Sequence, residues 1–312
     1  MPITQLGLLH HFNGIDIKQM TMHMRIHSGS YITKVLKKYS ILSSTPTAAP
    51  MNLENNFVKR LDKAESISTD SLHNAEYHFF CYRSIIGKLI WPMVTTHLDI
   101  SFPVVKLSQF CLAPALLHFE TCKNLLHYLS GTVSHGIYYT RLKPLNNLPH
   151  GNPVSRLLLP SDNINLFQPN LADHSTLTAF SDSDWAMDIW HRRSITGIVF
   201  SLDGGAIAWK CQVQPTAALS TAKAKLLAAF NAGKHALYLQ SILAEAGLPQ
   251  LRSTRIFEDN ASARLISQAA QHTRWTRHIK ICHFALLDWV EANKVTLAEI
   301  DGSRNPADGL TK

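Results

Sequence analysis

Apolar and polar residues alternate near the start of the chain. The stretch LHHFNGIDIKQMTMHMRIH has a period of two and predicts two short strands, over 9–18 and 22–26. The period lengthens in SYITKVLKKY. This predicts a helix over 31–39 with Ser30 as its N-cap and Val35 and Leu36 as apolar anchors. Two prolines in SSTPTAAPMNLENN end it and predict an extended tether. Between 76 and 139, HFFCYRSIIGKLIWPMV, SFPVVKLSQFCL and ALLHFETCKNLLHYLSG carry apolar residues at helical spacing. Leu117, Leu125, Leu126 and Leu129 share one stripe, and Gly131 is placed to end that helix. Pro92 falls inside its segment, so a kink or an end is expected there.

Residues 141–175 hold five prolines and several asparagines and predict a linker. Beyond it LTAFSDSDW, ITGIVFSL and AIAWKCQ predict three strands, the last two joined by a turn at Asp203-Gly204-Gly205. The Ala- and Leu-rich run starting at ALSTAKAK predicts a long helix, broken near Gly233. STRIFEDN follows as a strand, ASARLISQAA and RHIKICHFALLDWVEANK as helices, VTLAEIDG as a strand and NPADGLTK as the start of a helix. The order describes an α+β, or mixed α/β, domain.

Composition narrows the class. The 312 residues allow two domains, and a hydrophobic content of 46% with 17% charged residues suits a globular protein. No run approaches the ~18 consecutive apolar residues that span a bilayer, and the first residues lack a secretory pattern, so no membrane partner is expected. The five cysteines are widely spaced with no C-x-x-C pair, which suits a reducing compartment. An intracellular location, cytoplasmic or nuclear and not secreted, is expected. The 17 histidines are scattered, with no pair at ligand spacing beside a third ligand. The formal charge of +8 is concentrated in residues 1–170, with 15 basic against 9 acidic residues. Residues 171–312 hold 15 against 13. A basic balance of this size fits a polyanion, most simply nucleic acid.

The candidate chemistry is acidic. Asp182 and Asp184 end the first strand of the second half, Asp259 ends the fourth, and Asp308 opens the last helix. Carboxylate oxygens suit hard cations such as Mg²⁺, and two-metal phosphodiester hydrolysis uses several of them. Spacing alone does not bring these residues together. Each also reads as a strand-end or N-cap residue.

Residues 177–312 resemble the ribonuclease H domain that closes the Pol polyprotein of copia-type LTR retrotransposons. The strings are TAFSDSDWA, RRSITGIVFSL, AIAWKCQ, ALSTAKAK, EDNASA, TRHIKICHF and NPADGLTK. Residues 1–140 resemble the part of that family's reverse transcriptase that follows the polymerase active site, through LGLLHHFNGIDI, YITKVLKKYSI, TPTAAPM, YRSIIGKLIW, LDISFPVVKLSQF and LLHYLSGT. The resemblance implies a truncated palm-end, thumb and connection remnant over 1–140, mostly helical, and a linker over 141–175. Over 176–312 it implies a ribonuclease-H-like five-stranded mixed sheet with flanking helices. It also implies Mg²⁺-dependent hydrolysis of RNA in RNA–DNA hybrids, with Asp182, Asp259 and Asp308 as catalytic metal ligands. The polymerase aspartates are absent, so no DNA synthesis is expected from this chain alone. The resemblance also implies an intact reverse transcriptase as a partner, and residues 1–140 are expected to lack the sheet they should pack on.

The fourth ligand of the family is a Glu in a pattern like STxEAEY. Here the run is Ser220-Thr221-Ala222-Lys223-Ala224-Lys225-Leu226, with Lys at both Glu positions. The two lie about 200° apart on a helix, so one faces the metals, and Lys225 matches the ligand position. A unit charge and a divalent ion ~4 Å apart interact by about 8 kcal/mol at an effective dielectric of 20, and Lys turns this attraction into repulsion. The reading predicts a badly weakened metal site and lost nuclease activity. Lys280 stands where the family has an acidic residue, and the chain stops four residues after Asp308, which shortens the expected last helix. Arg192 and Arg193, and the cluster Arg274, Trp275, Arg277 and His278, are the candidates for holding phosphates and stacking on sugars or bases. The alternative reading is a module that binds RNA–DNA hybrid or RNA without cutting it.

Overall fold

A computed structural model describes residues 8–52, 54, 56–67, 81–140, 176–185, 192–260 and 280–312. The chain divides into two units, Met1–Leu159 and Pro160–Lys312.

In the first unit, β1 (His11–Phe12), β2 (Ile15–Gln19), β3 (His23–His27) and β4 (Ile137–Thr140) form an antiparallel sheet in that order. The single strand expected over 9–18 is a hairpin. Asn13 and Gly14 take φ of 47° and 83°, and two left-handed residues reverse the chain in a tight turn. Strand β4 lies at the end of a region whose spacing predicts helix, because four residues are too few for a period to show. A Cβ on Gly136 would lie 2.2 Å from the Ile26 carbonyl oxygen, so a residue without one lets the chain approach β3 there.

Helix α1 (Gly29–Lys38) begins two residues earlier than expected, with Ser28 at the N-cap. Ser30 lies inside the helix. Its amide and hydroxyl both donate to Asp16, at 2.8 and 2.9 Å, so a carboxylate from β2 stabilises the helix N-terminus. Helices α2 (Phe57–Lys63), α3 (Tyr82–Thr95), α4 (Ser101–Ser108) and α5 (Leu116–Gly131) follow. Helix α3 continues three residues past Pro92. The Lys88 carbonyl, which loses its i+4 donor there, accepts the Tyr31 hydroxyl at 3.1 Å instead. Pro103 sits in the first turn of α4, where its missing N–H costs nothing.

Ile32, Leu36, Ile85, Leu89, Leu107, Leu125 and Leu126 from four of these helices enclose a core of their own.

The second unit contains β5 (Thr178–Asp184), β6 (Ile195–Leu202), β7 (Gly205–Val213), α6 (Thr221–Glu245), β8 (Thr254–Glu258), α7 (Lys280–Glu291) and β9 (Val295–Glu299). The sheet order is β7-β6-β5-β8-β9. Pairing is antiparallel across β5, β6 and β7 and parallel from β5 to β8 and from β8 to β9. This is a five-stranded mixed sheet with flanking helices, as the resemblance implies.

Helix α6 packs Leu226, Ala229, Ala232 and Ala236 against Ala179, Ile198 and Ile256 of the sheet. It is not broken at Gly233. A Cβ there would lie 2.9 Å from the Trp289 ring, so the glycine serves close packing against α7. The last segment forms a 3₁₀ turn, Asp308–Leu310, with Leu310 buried, rather than the start of an α-helix. The helix expected over 261–270 lies outside the described residues. Among the described residues no helix is long and apolar enough to cross a membrane.

Candidate functional site

Three parts of the second unit build one cluster. Parallel pairing of β5 with β8, with Phe180 opposite Phe257, brings the C-terminal ends of both strands to the same edge of the sheet. Asp182 comes from the first of these ends, Glu258 and Asp259 from the second. Helix α6 begins with Ser220, whose hydroxyl accepts the Lys223 amide at 3.2 Å. Lys225 projects from the turn just beyond.

Of the two lysines in this run, Lys225 reaches the carboxylates. Its Nζ lies 3.0 Å from Asp182 Oδ1, hydrogen-bonds Asp259 Oδ1, and stands 3.8 Å from Glu258 Oε1. Asp182 is buried, and its second oxygen accepts the Thr311 hydroxyl. Asp308 is half-exposed and pairs with Lys312. Lys312 also acts electrostatically on Asp182 and Asp184.

Charge is distributed unevenly over these groups. Glu258 is fully buried and accepts the Ser181 hydroxyl at 2.8 Å. Burial, with the neighbouring Asp259, pushes its carboxyl up to about 9, so Glu258 is neutral at pH 7 and its O–H donates a hydrogen bond to Asp259. Its contact with Lys225 is therefore ion–dipole, not an ion pair. Burial raises the Asp259 carboxyl, but the Glu258 hydrogen bond and the Lys225 ammonium outweigh it and hold it below the usual range. Burial disfavours the Lys225 ammonium, and its bonds to Asp259 and Asp182 more than restore it. Asp184 is pushed up, first by burial.

A pH dependence follows from Glu258. Its folded value, about 9, exceeds the ordinary 4.5. Above pH 4.5 the unfolded chain gives up this proton while the folded chain keeps it, so this group lowers stability progressively from pH ~4.5 to ~9. Glu258→Gln keeps the neutral hydrogen-bonding pattern and removes the slope. In urea titrations the variant is expected to match the native protein near pH ~4 and to exceed it at pH ~8.5. A constant difference across that range would contradict a neutral Glu258.

The remaining sequence candidates fall elsewhere. Arg192 is exposed with a left-handed φ of 54°, and Arg193 is half-buried, both just before β6. Arg274, Trp275, Arg277 and His278 lie outside the described residues. Sequence reasoning misses Glu258, Thr311 and Lys312 as members of the cluster. Each belongs to a motif that also carries one of the aspartates, Glu258 to EDN and the other two to the end of NPADGLTK.

Magnesium ions take oxygen donors at ~2.0–2.1 Å in a near-octahedral shell. Here one oxygen of Asp182 and one of Asp259 already share an ammonium, which has three donors and no lone pair. Among the described residues, no group of three or more His, Cys, Asp or Glu side chains is arranged to hold a metal. The residues present do not fit the ion.

No protein-family model matches the chain. It is 27% identical over 282 residues to the Retrovirus-related Pol polyprotein from transposon TNT 1-94 of Nicotiana tabacum, a match covering 90% of this chain and 18% of that protein. The chain is similar to retrovirus-related Pol polyproteins of transposons over most of its length. It spans about a fifth of the length of that Pol relative. The chain is also 30% identical over 158 residues to Secreted RxLR effector protein 161 of Plasmopara viticola, covering 51% of this chain and 90% of that one. Among solved structures, LC11-RNase H1 isolated from compost aligns with 44% of the chain and 92% of its own length, at 12% identity and a TM-score of 0.35.

Proposed function

We propose that this chain is a Pol-derived fragment whose hydrolytic site is silent and which holds RNA–DNA hybrid or RNA without cutting it. The observation that carries the reading is the Lys225 ammonium between Asp182 and Asp259. In this reading Asp182, Asp259 and Asp308 are the surviving ligand positions of the ancestral ribonuclease H, and Lys225 stands at the fourth. Residues 1–140 are a palm-end, thumb and connection remnant, 141–175 a linker and 176–312 the ribonuclease-H-like domain. An intact reverse transcriptase is a partner for such a fragment, and an intracellular location, cytoplasmic or nuclear, goes with it. The net charge of +8 supplies phosphate affinity, and Arg192 stands exposed before β6.

The full chain is tested with a labelled RNA–DNA hybrid in Mg²⁺ and in Mn²⁺. The expected result is a retained, uncut hybrid in a mobility-shift gel, with affinity falling as salt rises. Metal-dependent scission of the RNA strand by the native chain would overturn the silent site. Absence of retention at low salt would overturn the binding half.

A further inference from the structure

We infer that the Lys225 ammonium is the resident cation of the carboxylate cluster, so that the second unit folds and stays ordered without a divalent ion. The inference deepens the preceding reading of the same site, but it rests on the geometry alone.

Asp182 is buried and Asp259 is a quarter exposed, and both approach one point in space. Two carboxylates so placed repel each other unless a cation lies between them. In a metal-dependent hydrolase that cation is the metal. Here a side chain of the protein occupies the point. It is delivered by α6, whose first turn is fastened by Ser220 and whose later turns are packed on the sheet through Leu226 and Ala229.

The rest of the cluster is arranged for a single positive charge. Glu258 is turned away into the interior, where it is buried and its Oε2 accepts the Ser181 hydroxyl at 2.8 Å. The second oxygen of Asp182 takes a neutral hydroxyl donor from Thr311. Asp308, which would otherwise add another carboxylate, is paired with its own lysine, Lys312. The charge that a divalent ion would balance has been met inside the chain. Tethering also removes any dependence on ion concentration, because a covalently attached cation does not dissociate.

The test is hydrogen exchange measured by mass spectrometry on the full chain, comparing native protein, Lys225→Met and Lys225→Glu. Each is held in EDTA with NaCl at matched ionic strength, and in Mg²⁺. Peptides covering β5 and β8 report the cluster. Native exchange in both strands is expected to be the same in EDTA and in Mg²⁺. Lys225→Met is expected to exchange about tenfold faster or more there in both solutions, because the buried Asp182 and the partly exposed Asp259 have lost their cation. Lys225→Glu is expected to be faster still in EDTA and to regain protection in Mg²⁺. Loss of protection across the whole second unit of either variant in EDTA would support the inference more strongly.

Slower exchange of the native strands in Mg²⁺ would overturn the inference, and so would Lys225→Met as protected as native. Its failure is separable from that of the silent-site reading. Hybrid cleavage by a native chain whose exchange ignores Mg²⁺ removes the reading and leaves the inference. An uncut hybrid with Mg²⁺-dependent protection does the reverse.

Discussion

Lys106→Ala is expected to lower the stability of the first unit by about 3–5 kcal/mol. Lys106 Nζ lies 2.6 Å from Asp62 Oδ1, with both side chains almost wholly removed from solvent, at 1% and 3% exposure. The pair joins α4 to α2. Removing the ammonium strands a carboxylate in a low-dielectric interior, where it must protonate, draw in water or disrupt its surroundings. The damage spreads through a short chain of contacts. Lys106 lies over the Phe110 ring, Phe110 stacks on His118 at 3.9 Å, and His118 Nε2 lies 2.9 Å from the Leu61 carbonyl beside Asp62. The decisive control replaces both charges. Asp62→Leu/Lys106→Met leaves no buried charge unpaired and is expected to recover most of the loss, as apolar replacements of buried pairs often do. Urea unfolding of the three proteins measures this. A single variant within ~1 kcal/mol of native would mean that the pair carries no stability.

Lys225→Glu is expected to raise affinity for Mg²⁺ by at least about a hundredfold, measured by isothermal titration calorimetry on the full chain. The native site presents Asp182 and Asp259 to an incoming ion, but behind an ammonium hydrogen-bonded to both. At ~4 Å and an effective dielectric of 20, a unit charge acts on a divalent ion by about 8 kcal/mol, and the substitution reverses its sign. Going from repulsion to attraction is a swing of about 16 kcal/mol; if solvent and side-chain movement remove three-quarters of it, about 4 kcal/mol is left, and each ~1.4 kcal/mol is tenfold in affinity. The substitution also releases two carboxylate oxygens to act as donors. Lys223→Glu is the matched control, since it makes the same charge change two residues away on α6. Its effect is expected to be small, because Lys225 is the lysine in contact with Asp182 and Asp259. Equal gains from both substitutions would mean that general electrostatics, and not the Lys225 position, governs the ion.

The elements of the second unit are largely legible in the sequence, because their patterns are local. Alternation in TAFSDSD and ITGIVFSL announces strands whichever neighbours they find, and Asp203-Gly204 takes the left-handed turn that its residue types favour, with φ of 51° and 82°. The family motifs point to Asp182, Asp259 and the lysine at position 225 without any geometry. In the first unit the same logic fails where a local preference is overruled from a distance. Pro92 predicts a kink or an end, and α3 continues past it, with the Tyr31 hydroxyl from α1 taking the carbonyl the proline leaves bare. Ser30 looks like a cap, yet Asp16 from β2 stabilises that end. Strand β4 exists because β3 is there to pair with it, 110 or more residues earlier in the chain.

For the cluster itself, residue order established its chemistry but not its state. Three aspartates and a lysine are written in the chain, and the family resemblance, which expects a Glu at the position of Lys225, predicts a weakened metal site from charge alone. That the lysine turns inward to bind two carboxylates, rather than outward to water, depends on the parallel pairing of β5 with β8 and on where the second turn of α6 falls above that edge. The neutrality of Glu258 depends on its burial, which no window of sequence around EDN reveals. Hydrogen bonding and desolvation act between groups separated by tens of residues. Periodicity reports which face of an element is apolar, and long-range packing sets what that face meets.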